Sequence, residues 1–198
     1  MKKIIIIASA CMISVATFGQ VKFGVKTGAN FSFLSERTMQ TETVTVTSKK
    51  NSDMIVGFLI GAYANYSFND LFGMQAEALF SMQGGKWEVG KVIQNYINVP
   101  LLVDIKPITN NSFSILAGPQ FGIGIGRKNP GSNGFAVPYE RFDFAAVFGA
   151  QYTFVEHLSV GLRYNFGLTP SIDAKLSNND KIKGERNNVL QLSIGWTF

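Results

Sequence analysis

From residue 21 onward the chain alternates. In Val21-Phe23-Val25-Thr27-Ala29-Phe31-Phe33 every second residue is apolar or small, and between them stand Lys22, Gly24, Lys26, Gly28, Asn30 and Ser32. A period of two marks a strand with one oily and one polar face, because successive side chains leave a pleated backbone on opposite sides. The pattern returns near residues 55–67, 72–83, 96–105, 113–126, 142–154, 158–168 and 189–198, so the sequence predicts eight strands. A tilted strand crosses a bilayer in about ten residues, a length that each of these runs reaches.

The connections alternate too. They are long over 34–53, short at Asn69-Asp70, medium around Gly84-Gly85 and short at Thr109-Asn110-Asn111. They are long again from Lys128 to Glu140, short at Glu156-His157 and long from Pro170 to Asn187. All long connections therefore fall at one end, as an up-and-down barrel requires and a Greek-key sandwich does not. The expected fold is all-β, an eight-stranded antiparallel barrel.

Charge decides which face is wet. Oily faces such as Phe72-Met74-Ala76-Ala78-Phe80-Met82 and Leu190-Leu192-Ile194-Trp196-Phe198 carry none. The opposite faces hold Lys22, Lys26, Glu77, Asp104, Asp143 and Arg163, with Gln75, Gln120, Gln151, Asn165, Gln191 and Ser193. An eight-stranded interior is only wide enough for side chains to fill, and so many large apolar groups do not fit inside it. Glycines such as Gly24, Gly61, Gly118, Gly149 and Gly161 share the polar face, where a narrow barrel curves and leaves room for long inward chains. The oily face is thus expected to meet lipid. Aromatic residues gather toward its two ends, Phe142, Phe144, Tyr164 and Phe166 near the long loops and Tyr66, Phe72, Tyr152 and Trp196 near the short turns, like interfacial girdles.

Composition adds a destination. The 198 residues carry a formal charge of +5, and two of the positive charges are Lys2 and Lys3, in front of the apolar run Ile4 to Ala16. A charged start, an apolar centre and small residues at Thr17 and Gly19 predict a secretory signal peptide over 1–19, cleaved before Gln20, with the barrel over 20–198. Cleavage removes Cys11, the one cysteine, and leaves sixteen basic against thirteen acidic residues, +3. No later stretch has the 18 or more apolar residues of a spanning helix. The expected location is the bacterial outer membrane, crossed many times by strands, with both termini periplasmic.

Several short motifs carry a family resemblance. Tyr96-Ile97-Asn98-Val99-Pro100-Leu101-Leu102, Ala117-Gly118-Pro119-Gln120-Phe121-Gly122, Phe142-Asp143-Phe144 before Gly149, and Leu162-Arg163-Tyr164-Asn165-Phe166-Gly167-Leu168 resemble the outer-membrane β-barrel domain of Bacteroidetes, called PorT-like or porin-family. The resemblance spans the mature chain and implies an eight-stranded outer-membrane barrel, usually without a defined activity. The ending Gln191 to Phe198, with Trp196 and the terminal Phe198, is similar to the signal read by the barrel-assembly machinery.

Candidate chemistry is sparse. The six inward charges balance three against three. Lys22, Lys26 and Asp104 fall toward the short-turn end, Asp143 toward the loop end, and Glu77 and Arg163 near mid-height on the third and seventh strands. Those two strands lie opposite each other, so Glu77 and Arg163 are expected to meet across the axis, because an unpaired buried charge is expensive. This lumen charge network reads as a plug, with no catalytic, cofactor or metal site. His157-Leu158-Ser159 beside Glu156 has the residue types of a lipid A deacylase, but His157 falls in a short turn, far from the outer leaflet. Gly122-Ile123-Gly124-Ile125-Gly126 continues a strand and is no phosphate loop. One His and no mature Cys form no standard metal cluster.

The long loops hold twelve basic against eight acidic residues, an excess suited to lipopolysaccharide phosphates. The Thr-rich run Thr41 to Thr47 is expected to extend the first hairpin as a surface ribbon with an edge for partner proteins. The leading expectation is a small closed barrel with a structural or surface-interaction role and no turnover. Its partners are membrane lipid, lipopolysaccharide, the assembly machinery and a surface protein, and nucleic acid is not among them. Competing readings are a narrow porin or secretion-system accessory and a lipid A-modifying envelope enzyme.

Overall fold

The computed structural model describes residues 21–40, 45–48, 52–87, 90–107, 112–128, 141–176 and 180–198. The leader read over 1–19 lies outside them, as do Thr41 to Val44 of the Thr-rich run, the turn at Thr109-Asn110-Asn111 and the loop charges Glu42, Lys49, Lys50, Glu88 and Glu140.

Ten strands form: β1 (Val21–Gln40), β2 (Thr45–Ser48), β3 (Ile55–Ser67), β4 (Phe72–Trp87), β5 (Gly90–Ile105), β6 (Phe113–Lys128), β7 (Phe142–Val155), β8 (Leu158–Gly167), β9 (Pro170–Leu176) and β10 (Asp180–Thr197). Eight of them make the barrel, in the order β1-β3-β4-β5-β6-β7-β8-β10, each antiparallel to its neighbour. The last returns to the first: β10 pairs with β1 from Gly24↔Thr197 to Gln40↔Lys181, which closes the wall and leaves no barrel edge.

The two additional strands stand above the barrel. β2 pairs with β1 over Arg37–Gln40, and β9 pairs with β10 from Arg186↔Pro170 to Asp180↔Leu176. Much of what reads as connection over 34–53 and 170–187 is therefore a four-stranded sheet, β2-β1-β10-β9. The expected medium connection around Gly84-Gly85 is likewise strand, since β4 and β5 pair up to Trp87↔Gly90. The reason for the difference is physical. Backbone pairing needs no long oily face, and runs as short as the four residues of β2 and the seven of β9 read as connection beside strands that cross a bilayer.

Within the band the alternation becomes geometry. Phe58, Phe72, Phe121, Ile123, Phe148, Leu162, Leu192 and Ile194 are exposed on the outer wall, while Lys26, Glu77, Asp104, Asp143 and Arg163 are buried inside it. So continuous an exposed apolar surface belongs in lipid, since soluble monomers confine such patches to a few hundred Å². Aromatic pairs mark its rims. Tyr66–Phe68 and Tyr152–Phe154, with ring centroids 5.0 and 4.9 Å apart, lie by the short turns, and Phe121–Phe144, at 5.2 Å, lies by the long loops. The short turn after β3 is held by Asn69, whose Oδ1 accepts from the backbone N–H groups of Leu71 (2.9 Å) and Phe72 (2.7 Å), an Asx-type turn. Near the long-loop end Gly84 has φ +146°, and a Cβ there would lie 2.0 Å from the Val92 carbonyl, so β4 needs a glycine at this position.

Candidate functional site

The lumen is where strand pairing brings chemistry together. β1 contributes Lys26, β4 contributes Glu77 and β8 contributes Arg163. Lys26 Nζ lies 2.7 Å from Glu77 Oε1, and Arg163 Nη1 reaches both Glu77 oxygens, 2.8 Å from Oε1 and 2.9 Å from Oε2. Gln75 Nε2 also donates to Oε1. Lys26 Nζ sits 5.2 Å from the Tyr63 ring centroid, and the Tyr63 hydroxyl is 2.7 Å from Thr197 Oγ1. Arg163 spans the barrel because position 149 on the neighbouring strand is glycine. A Cβ at Gly149 would lie 2.5 Å from Arg163 Cγ, in the space its stem occupies.

Three of the six charges expected inside thus meet, and three do not. Lys22 is exposed at the short-turn mouth and takes no part in the triad. Asp104 is buried lower in the lumen, where its Oδ2 accepts from Asn65 Nδ2 at 2.8 Å and lies 3.9 Å from Lys106 Nζ. Asp143 is buried toward the long-loop end, with Oδ1 accepting from Thr169 Oγ1 at 3.0 Å. The charges lie in separate places along the axis, and Lys26, expected toward the short-turn end, joins the mid-height pair. One network does not form because the charges sit at different heights along the axis.

Above the triad runs a polar ladder. Asn30 Nδ2 donates to Ser81 Oγ (2.8 Å), Gln83 Nε2 donates to the same oxygen (2.7 Å), and Asn187 Nδ2 donates to Gln83 Oε1. Beside the triad the wall is apolar. Leu102, Leu116 and Val147 form a buried cluster on β5, β6 and β7. Leu34, Leu59, Leu79, Tyr96 and Val189 are also buried inside. These apolar inward positions, and Lys106 beside Asp104, escape a reading of the polar face by its charges. Their signal is a local break in alternation: Phe58-Leu59-Ile60, Leu101-Leu102-Val103, Ile115-Leu116-Ala117 and Ala146-Val147-Phe148 each place three apolar residues in a row.

At the short-turn end a polar vestibule of about 180 Å³ is lined by Lys22, Asn65, Asp104, Lys106 and Glu156 among others. The end of β10 is fastened here. His157 Nδ1 lies 2.7 Å from the Thr197 carbonyl oxygen, the Thr197 N–H donates to the His157 carbonyl at 2.7 Å, and the Phe198 N–H donates to Phe23 at 2.8 Å. Trp196 and Phe198 are exposed on the outer wall, and the Trp196 ring stacks on His157 with centroids 5.5 Å apart. His157 is thus occupied in holding the last strand, and Ser159 is buried with its Oγ directed to the Gly195 carbonyl. Among the described residues no group of His, Cys, Asp and Glu has the arrangement of a metal site.

The family model for the outer membrane protein beta-barrel domain matches residues 14–173, which takes in every barrel strand except β10. No curated protein sequence matches the chain. Among solved structures, Neisserial surface protein A is 13% identical, with 89% of this chain and 97% of that chain covered and a TM-score of 0.52. The outer membrane protein OprG from Pseudomonas aeruginosa is 15% identical, with 89% and 95% covered and a TM-score of 0.53. At such identities the likeness is one of fold. Together with the closed wall and its apolar outer face, the match over most of the chain makes this protein a member of the outer membrane protein beta-barrel domain family, a small closed barrel of the outer membrane.

Proposed function

We propose that this barrel is a structural and surface-display protein without catalytic turnover, set with its long-loop end outward and both termini in the periplasm. The observation that carries this reading is the contrast between its two ends. The short-turn end finishes in tight turns at Asn69-Asp70 and Glu156-His157, whereas at the other end β1 and β10 continue past the barrel and acquire β2 and β9. A four-stranded sheet raised above the membrane presents two edges, and an edge is a template for an extended segment of a surface protein. The lumen supports the absence of turnover, because both Glu77 oxygens are engaged in ion pairs and His157 is engaged at the Thr197 carbonyl.

Export by the leader at 1–19, folding by the barrel-assembly machinery through Trp196 and Phe198, and seating of the basic loops on lipopolysaccharide belong to the same proposal, as does kinship with the PorT-like barrels of Bacteroidetes. Single cysteines at Lys181 and Asn69, labelled by a membrane-impermeant reagent on intact cells, test the orientation. Lys181 should label and Asn69 should not. Equal labelling of both, or labelling of Asn69 alone, refutes it.

A further inference from the structure

The charge triad is not neutral. At mid-height two cations, Lys26 and Arg163, share the single carboxylate of Glu77. Among the described residues the other buried carboxylates serve elsewhere, Asp104 with Asn65 and Lys106 and Asp143 with Thr169. The layer therefore carries one uncompensated positive charge, inside a barrel whose outer wall faces lipid, where an unpaired ion is costly.

The hydrogen-bond inventory points to the same place. Arg163 uses only Nη1 on Glu77, and its Nε and Nη2 have no partner although the residue is 2% exposed. Those two N–H groups lie along one edge of the guanidinium and point the same way, the fork with which arginine grips anions. Directly across the strand pair, Gln191 is in register with Arg163, is 3% exposed, and has an Nε2 without a partner. Excess positive charge, an empty arginine fork and an unused amide donor thus occur together in one layer.

We propose that the lumen beside Arg163 is a binding site for a small inorganic anion of the halide class, held by the Nε–Nη2 fork of Arg163 and Nε2 of Gln191. A halide neutralises the layer and needs only donors around it. Arg163 and Gln191 are 2% and 3% exposed, a burial that favours a monatomic ion over a larger organic anion. The rival occupant is water, bridging Arg163 to the unpartnered Oδ1 of Asn165 two residues along β8. Water would satisfy the hydrogen bonds and leave the charge.

The test uses the folded barrel in detergent, unfolded by denaturant in sodium chloride and in sodium gluconate at equal ionic strength. Chloride should stabilise the native barrel. Once the site saturates, each tenfold rise in chloride should raise the folded-to-unfolded ratio tenfold, the limit for one site seen only in the native state. Lys26→Met removes the excess charge and should abolish this dependence, while Lys22→Met at the exposed mouth should preserve it. Crystals grown in bromide should show an anomalous peak beside Arg163 and Gln191, a readout that stands even if the Lys26 variant fails to fold. Identical stability in the two salts with no bromide peak overturns the proposal in favour of water. So does a chloride effect that Lys26→Met leaves unchanged.

Discussion

Two parts of the lumen fill the same narrow space by opposite means. The Lys26–Glu77–Arg163 triad closes it with charge, each group held by its partners. The Leu102–Leu116–Val147 cluster closes the neighbouring wall with apolar volume. Both face the same axis, yet they depend on different physics. The triad tolerates water and requires its partners, whereas the cluster requires only shape and the exclusion of water. The contrast explains how a barrel can show apolar residues on both faces and still present its oilier face to lipid: the outer wall bears no charge within the band, and the inner wall bears all of it.

The contrast can be broken most severely at Glu77. Glu77→Ala leaves Lys26 and Arg163 buried together without their carboxylate and should cost about 3–5 kcal/mol in an unfolding titration in detergent. Combining it with Arg163→Ala should recover part of that loss, and strictly additive losses would show the two residues uncoupled. Across the divide, Leu116→Ala should cost about 2–5 kcal/mol through the cavity it opens, with no change in the response to salt.

The boundary between the two regions is sharpened at Gly149, next to Leu116 on one side and Arg163 on the other. Gly149→Ala drives a methyl group into the Arg163 stem and the Leu162 carbonyl, both 2.5 Å from the added carbon, and should cost about 1–3 kcal/mol. In the Arg163→Ala background the penalty should shrink, because the clash with Cγ disappears while those with the Leu162 carbonyl and the Cα of residue 163 remain. The smallest effect is expected outside both regions. His157→Ala removes the bond to the Thr197 carbonyl and the stack on Trp196, and should cost about 0.5–1.5 kcal/mol. Its clearest sign should be faster hydrogen exchange at the end of β10.

The wall was legible in the sequence because a lipid band imposes one rule on every strand. Phe58, Phe121, Leu162 and Leu192 stand where alternation puts them, and the pairing of opposite strands brings Glu77 to Arg163. The sequence was less informative where that rule lapses. Above the band, β2 and β9 are only four and seven residues long, too short to read as crossing strands, although Ile172, Ala174 and Leu176 alternate within β9. Inside the lumen, Leu59, Leu102 and Leu116 lie on the nominally polar face because side-chain packing, rather than solvation, decides what fits there. The joining of Lys26 to the Glu77–Arg163 pair depends on stagger between strands, which a single sequence does not encode locally. Lys106, beyond the end of β5, reaches back to Ser67 and Asp104 by a long flexible stem that no spacing announces.

The central claim is that side chains meeting across the axis, and the triad above all, seal the barrel. Planar-bilayer recording of the purified protein tests it most directly. The account predicts no sustained current for the native chain, and openings that appear only when Glu77→Ala and Arg163→Ala are combined. A steady, ion-selective conductance through the unaltered barrel would contradict it and favour a narrow porin.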